Sequence, residues 1–255
     1  MKLFKYILNT IPRPFLIKAS YWMRPLFALY LKGTRYTDPI DGKSFRKFLP
    51  YGYGEQRPNA LSPSTLSLER HRLLWLYLQN ETDFFDASKV KKVLHMAPEQ
   101  CFLKRFKNLK HIALLTADLY SPIVDVKADI TDLPFENDHF DIIFCNHVLE
   151  HIIDDKKAMQ ELYRVLKKGG MAILQIPQDY SREITYEDFS IISPEDRAKH
   201  FGQYDHVRVY GNDYFDRLRA VGFKVDEVNY SKKLSDKEID TYRLMKGEIL
   251  PVCFK

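Results

Sequence analysis

The sequence predicts an α/β fold, a doubly wound and mostly parallel sheet, and three observations carry that prediction. Between residues 90 and 178, three apolar runs lead into acidic or polar residues, helical or loop text separates them, and a Lys-Lys-Gly-Gly turn precedes a fourth run. Strands that alternate with helices build βαβ units, whose parallel strands are covered on both faces. A sheet of that kind binds its ligand at the carboxyl ends of its strands.

The four runs are residues 93–97, 111–118, 140–147 and 171–177. A chain of 255 residues can bury one sizeable core plus a small appendage, and 45% hydrophobic with 29% charged residues is ordinary for a globular protein. Disordered and fibrous classes are thereby excluded. The net charge of +5 is unevenly placed, because Lys2, Lys5, Arg13, Lys18, Arg24, Lys32 and Arg35 all precede the first acidic residue, Asp38. Cys101, Cys145 and Cys253 are too scattered for a disulfide framework or a paired metal site, which points to a reducing, cytoplasmic setting.

Residues 1–35 form a basic, amphipathic N-terminal segment. Pro12, Pro14 and the cations interrupt its apolar text before it reaches the ~18 residues of a spanning helix. It suits either peripheral contact with an anionic membrane at its inner face or a helix pair packed on the domain or on a second subunit. Residues 36–85 read as a loop-rich module followed by a helix starting near Ser67 and running through Leu78, in which Glu69-Arg70-His71-Arg72 reads as a solvated face. The remainder, 86–255, is the main domain.

Where a dinucleotide-binding sheet would carry a glycine-rich turn, this chain has Ala97-Pro98-Glu99. Glu99 would repel a pyrophosphate but could accept a hydrogen bond from an ammonium group. Asp118 ends the second strand, the position from which an acidic residue can bind ribose hydroxyls or, alternatively, cap a turn. Asp129-Ile130-Thr131-Asp132-Leu133-Pro134-Phe135 follows, then Asp141 near the start of the next strand, then Asn146-His147-Val148-Leu149-Glu150-His151, and finally a helix leading to Lys167-Lys168-Gly169-Gly170.

This ordered set resembles the class I S-adenosylmethionine-dependent methyltransferases, and the text at Gly42–Gly52, Arg57–Leu61 and Ser67–Arg72 is similar to the front end of a bacterial, type 11-like group within them. The resemblance implies a seven-stranded, Rossmann-like sheet closed by an antiparallel hairpin, with an N-terminal helical and loop extension. It implies S-adenosylmethionine as cofactor, with Ala97, Glu99, Asp118, Leu119, Asp129, Ile130 and Asn146 as its binding residues; Asp129 would meet the adenine amino group and Ile130 the base. Members of the group often carry a zinc-ribbon-like module, but the matching positions here, Asp38, Asp41, Ser62 and Thr65, hold no cysteine. Thiolates close such a site around zinc, so no structural metal is expected. His147 and His151 stand four apart but not in a His-Glu-x-x-His order, and no metal is expected there either.

His147, at a strand's carboxyl end, is the candidate base, while His151 reads as a capping or packing residue. Residues 178–208 read as a substrate lid, within which Asp205 and His206 could position a substrate hydroxyl. Asn212 is expected to cap a helix that Gly222 ends, and the proline in the last strand, residues 248–254, places that strand at an edge or bulge. The function read from all this is in-line methyl transfer to a small hydroxyl-bearing acceptor, a saccharide or glycolipid first, with no nucleic acid favoured. A nucleic-acid or protein methyltransferase and a non-catalytic cofactor-binding scaffold are the alternatives. The oligomeric state is open.

Overall fold

The computed structural model describes residues 24–52 and 56–255. The basic segment expected to contact a membrane therefore lies mostly outside the described residues, as does part of the Tyr51–Gly54 turn text. The chain divides into two compact units, one made of residues 1–80 and 231–246, the other of 81–230 and 247–255.

The first unit is built from two short antiparallel ribbons, β1 (Lys32–Thr37) with β2 (Ser44–Phe45) and β3 (Leu49–Tyr51) with β4 (Arg57–Leu61), and from helix α1 (Glu69–Glu81). Leu31, Tyr36, Phe45 and Phe48 form its small apolar cluster. The four positions matched to zinc ligands fall in two tight turns, which a carboxylate joins. Asp38 is fully buried, takes Ile40 N on Oδ1 at 2.9 Å, and takes the hydroxyls of Thr65 and Ser67 on Oδ2, the latter at 3.0 Å. Hydrogen bonds thus link the two turns without thiolates.

The string Glu69-Arg70-His71-Arg72 is not a solvated face. Glu69, His71 and Arg72 are all buried, and Arg72 donates to the carbonyls of Ala60, Ser67, Tyr242 and Arg243 at 2.6–3.1 Å. A planar fork with five donors can enter a core when loop carbonyls converge on it, and no helical periodicity reveals that convergence.

The second unit holds the seven-stranded sheet. Its strands are β5 (Lys91–Met96), β6 (Ile112–Asp118), β7 (Val126–Lys127), β8 (Phe140–Cys145), β9 (Leu166–Ile173), β12 (Lys224–Val228) and β13 (Leu250–Phe254), in the spatial order β12-β13-β9-β8-β5-β6-β7. β5 through β9 are parallel, and β13 runs antiparallel to both β9 and β12. Five of the six residues of β5 and of β8 are buried, the mark of strands covered on both faces. Helix α2 (Gln100–Lys107) follows β5, α3 (Asp155–Val165) precedes β9, and α5 (Tyr214–Val221) precedes β12, with α3 packed on α5. Chain order reverses between β5 and β8, so the crevice at their carboxyl ends is the topological switch point where open α/β sheets bind ligands.

Three local expectations are corrected. The Lys-Lys-Gly-Gly text lies inside β9, which starts at Leu166 and ends at Ile173; a register shift opposite Phe140 and Ile142 and a left-handed Gly169 (φ 75°) absorb the turn. β13 is an interior strand despite Pro251, because its ladder to β9 spans only Val252–Phe254 and the proline sits just beyond it. Asn212 does not cap α5. Its side chain donates to Tyr180 O at 3.4 Å, and the cap residue Asp213 instead accepts Thr185 N and Oγ1 at 2.7 and 2.6 Å.

The stretch after β9 has structure of its own. β10 (Tyr186–Glu187) pairs with β11 (Arg208–Val209), and between them α4 (Pro194–Phe201) starts on a Ser193 cap with proline in its first turn and ends on left-handed Gly202.

Candidate active site

The turn after β5 keeps the shape of a glycine motif without the glycine. Ala97 has φ 44°, the left-handed conformation glycine enters at little cost and alanine at roughly 1 kcal/mol. Glu99 stands at the N-terminus of α2 and bonds through Oε2 to His95 Nε2 at 3.3 Å and Asn146 Nδ2 at 3.1 Å. Asn146 Oδ1 in turn accepts Gln175 N at 3.3 Å, and His147 N donates to Gln175 O at 2.7 Å. One polar chain therefore ties the ends of β5 and β8 to the residues following β9.

Asp118 occupies the end of β6. Its Oδ1 accepts Tyr120 N and Ser121 N at 2.7 and 2.6 Å, so it does hold the turn, and it does so with one oxygen only. Leu119 beside it is 44% exposed, an unusual situation for a leucine next to a core strand. Asp129 Oδ1 takes Thr131 N and Oγ1, both at 2.8 Å, and those bonds hold the carboxyl below its ordinary range. Ile130 packs in the main core and is only 3% exposed, so the surface it offers the crevice is small.

The segment after β8 is not an α-helix. His147 adopts φ 54° and Leu149–His151 form a single 3-10 turn, so His147 and His151 are not stacked on a helix face as their spacing allowed. Glu150, which sequence reasoning passed over, is the centre of this corner. Its side chain is 1% exposed; Oε1 lies 3.4 Å from His147 Nδ1 and 4.0 Å from His151 Nε2. Burial acts to raise its carboxyl, but the hydrogen bond to His147 and the charges of His147 and His151 outweigh it and hold the group below its ordinary range. The only sequence signal was its place in Asn146-His147-Val148-Leu149-Glu150-His151.

Residues predicted as lid groups meet the same corner. His151 Nδ1 lies 3.2 Å from Asp205 O and 3.6 Å from Asp205 Oδ2, and the rings of His151 and His206 pack edge to face with centroids 4.7 Å apart. Val207 N donates to Glu150 O at 2.9 Å. Arg208 fixes the arrangement: fully buried, it donates to Leu149 O at 3.0 Å, Ile153 O at 2.8 Å and Glu187 Oε2 at 2.9 Å. Burial pushes His206 down; Glu150 opposes that and His151 adds to it, leaving the imidazole below its ordinary value.

A sheet of this order, with an acidic β6 end, a phosphate-repelling β5 turn and a polar corner after β8, defines a class I methyltransferase fold. Residues 85–174 match the family model for a methyltransferase domain, and the seven-stranded sheet that holds them has the Rossmann-like methyltransferase fold. S-adenosylmethionine is the cofactor of that domain.

Among curated proteins, the chain is 43% identical over 49 residues to a demethylmenaquinone methyltransferase of Clavibacter sepedonicus, covering 19% of this chain and 20% of that one. It is 29% identical over 134 residues to an uncharacterized protein of Methanocaldococcus jannaschii, covering 52% and 53%. A ubiquinone/menaquinone biosynthesis C-methyltransferase of Vibrio vulnificus is 41% identical over 49 residues, 19% of each chain. The chain thus spans about a fifth to a half of the length of these relatives. Similar solved structures include an S-adenosylmethionine-dependent methyltransferase from Mesorhizobium loti (13% identity, 70% of this chain and 100% of that one, TM-score 0.46) and the [4+2]-cyclase SpnF (14%, 85% and 89%, 0.47). The strand order, rather than these scores, identifies the fold.

Proposed function

We propose that the protein transfers the methyl group of S-adenosylmethionine to a hydroxyl oxygen of a small acceptor that has an apolar part. The observation that carries this reading is the convergence of His147 with buried Glu150 at the carboxyl end of β8, next to the Asn146–Glu99 pair. In this reading Glu99 and Asn146 face the methionine end, Asp118 holds the ribose through Oδ2, Leu119 covers the adenine, and Asp129 meets its amino group. The acceptor oxygen attacks the methyl carbon in line, the carbon–sulfur bond breaks as the carbon–oxygen bond forms, and S-adenosylhomocysteine leaves. The hydroxyl proton passes to His147, whose cationic form Glu150 stabilises. Alignment and exclusion of water supply most of the rate, and the base a further ~10² to 10⁴-fold.

The segment 178–208 acts as the substrate lid. Ile184, Phe189 and Ile192 are exposed on it, which favours a glycolipid over a bare saccharide. A second reading follows from the quinone-methylating relatives: a phenolic ring activated by loss of its hydroxyl proton and methylated on carbon. Both need the same deprotonation. Residues 1–35 would serve as a basic arm that brings the protein to an anionic membrane, where either acceptor resides.

Radiolabelled S-adenosylmethionine incubated with separated glycolipid, saccharide, quinol-lipid, RNA and protein fractions tests this. Label in the glycolipid or quinol fraction, stable to protease and ribonuclease, is the expected result. Label confined to RNA or protein would overturn it. No helix among the described residues is long and apolar enough to cross a membrane.

A further inference from the structure

We propose that Glu150, His151 and His206 bind a single divalent transition-metal cation at the floor of the acceptor site. The third ligand, His206, lies more than fifty residues from His151 in sequence, and the metal-like spacing in the chain is that of His147 with His151. Folding brings a carboxylate oxygen and one ring nitrogen from each histidine within 4.8 Å of one another. A cation about 2.1 Å from each ligand would space them roughly 3.4 Å apart in tetrahedral geometry, a contraction that small side-chain rotations supply.

Two further features fit a metal. Glu150 is almost fully buried and its Oε2 has no hydrogen-bond partner, so a carboxylate is held at this corner with half its accepting capacity unused. That is costly for a buried anion unless a cation completes it. His151 Nδ1 faces the carbonyl oxygen of Asp205 at 3.2 Å, which fixes the proton there and leaves Nε2, the atom nearer Glu150, with its lone pair. A metal-ligating histidine is oriented in this way, by donating its other ring nitrogen to a carbonyl or carboxylate.

The frame is also rigid. The Val207 N to Glu150 O bond and the Arg208 contacts to Leu149 O and Ile153 O hold the two ligand-bearing segments together. Preorganisation of this kind separates a site from a chance cluster. Two imidazoles and a carboxylate suit zinc, manganese, iron(II) or cobalt(II), rather than calcium or magnesium. His151 keeps 29% of its side chain exposed, so coordination positions remain for solvent or an acceptor oxygen. The role in acceptor activation rests on the proposed hydroxyl-methylating reaction; the binding of the metal does not.

The test uses the full chain without an affinity tag, stripped with a chelator and titrated with cobalt(II) and zinc. Visible absorption follows cobalt and calorimetry follows zinc, while S-adenosylmethionine binding is measured on the same samples. One equivalent should bind. His206→Ala and His151→Ala should each weaken that binding at least 10 to 100-fold, with S-adenosylmethionine affinity unchanged. Glu150→Gln should abolish it, and the two histidine variants keep the test valid if that buried substitution does not fold. Absence of stoichiometric binding to wild type, or unaltered binding in both histidine variants, would overturn the proposal. Loss of S-adenosylmethionine binding in wild type would instead remove the methyltransferase reading.

Discussion

At the scale of single residues, the carboxylates at strand ends carry the cofactor account. Asp118 spends Oδ1 on the turn, so Asp118→Ala loses two turn bonds together with the ribose acceptor we propose for Oδ2. Affinity for S-adenosylmethionine should fall by about 1 to 3 kcal/mol, read by calorimetry. Ala97 tests backbone shape. Ala97→Gly should leave stability unchanged or raise it by up to about 1 kcal/mol, and Ala97→Val should lower it by more than that, because a β-branched residue resists φ 44°. Urea unfolding measures both. The positions of Glu99, Asp118 and Asp129, at the turn after β5, the end of β6 and the loop after β7, were legible in the sequence because the apolar runs that precede them are local. The backbone at Ala97 was legible only as an absence of glycine. Glu150 was not legible as a centre, since its importance comes from the burial that His206 and Arg208 impose on it from a distant segment.

At the scale of elements, Arg208 holds the loop after β8 to the β10–β11 ribbon. Its neighbours Glu187 and Asp155 are shared with Arg217, which lies 3.1 Å from each. Replacing the fully buried guanidinium by methionine leaves the carbonyls of Leu149, Ile152 and Ile153 and the Glu187 carboxylate short of a donor. The cost should be about 3 to 5 kcal/mol in urea unfolding. Sequence reading found the strands because apolar runs of five to eight residues are local. It missed α4 and the interior position of β13, which depend on pairings between distant segments. Glu69-Arg70-His71-Arg72 reads as a surface in the sequence, since charge alone does not tell a solvated arginine from one surrounded by carbonyls. The two turns of the first unit make a related point. Asp38 does with hydrogen bonds what thiolates and zinc would do, so a chelator should leave this unit folded, and Asp38→Ala should destabilise the protein by about 1 to 3 kcal/mol.

At the scale of the whole molecule, several ionisable groups push stability in one direction with pH. Glu150, Glu161 and Glu187 all have carboxyls held below their ordinary range in the folded chain. A depressed carboxyl contributes stability that is present above its unfolded value and is lost as pH falls through the folded one. His206 is also depressed, so the unfolded chain binds the extra proton first as pH drops through ~6.5. Both effects weaken the fold on acidification. Denaturant midpoints should fall between pH 7 and pH 4, beginning near pH 6.5 for wild type, and His206→Gln should remove the upper part of that decline.

The central claim is that the crevice at the ends of β5, β6 and β8 holds S-adenosylmethionine through Glu99, Asp118 and Asp129. Calorimetric titration of the full chain with S-adenosylmethionine and S-adenosylhomocysteine tests it most directly. One site that both ligands fill, weakened in Asp118→Ala, is the predicted result; no heat from either ligand at millimolar concentration would contradict it.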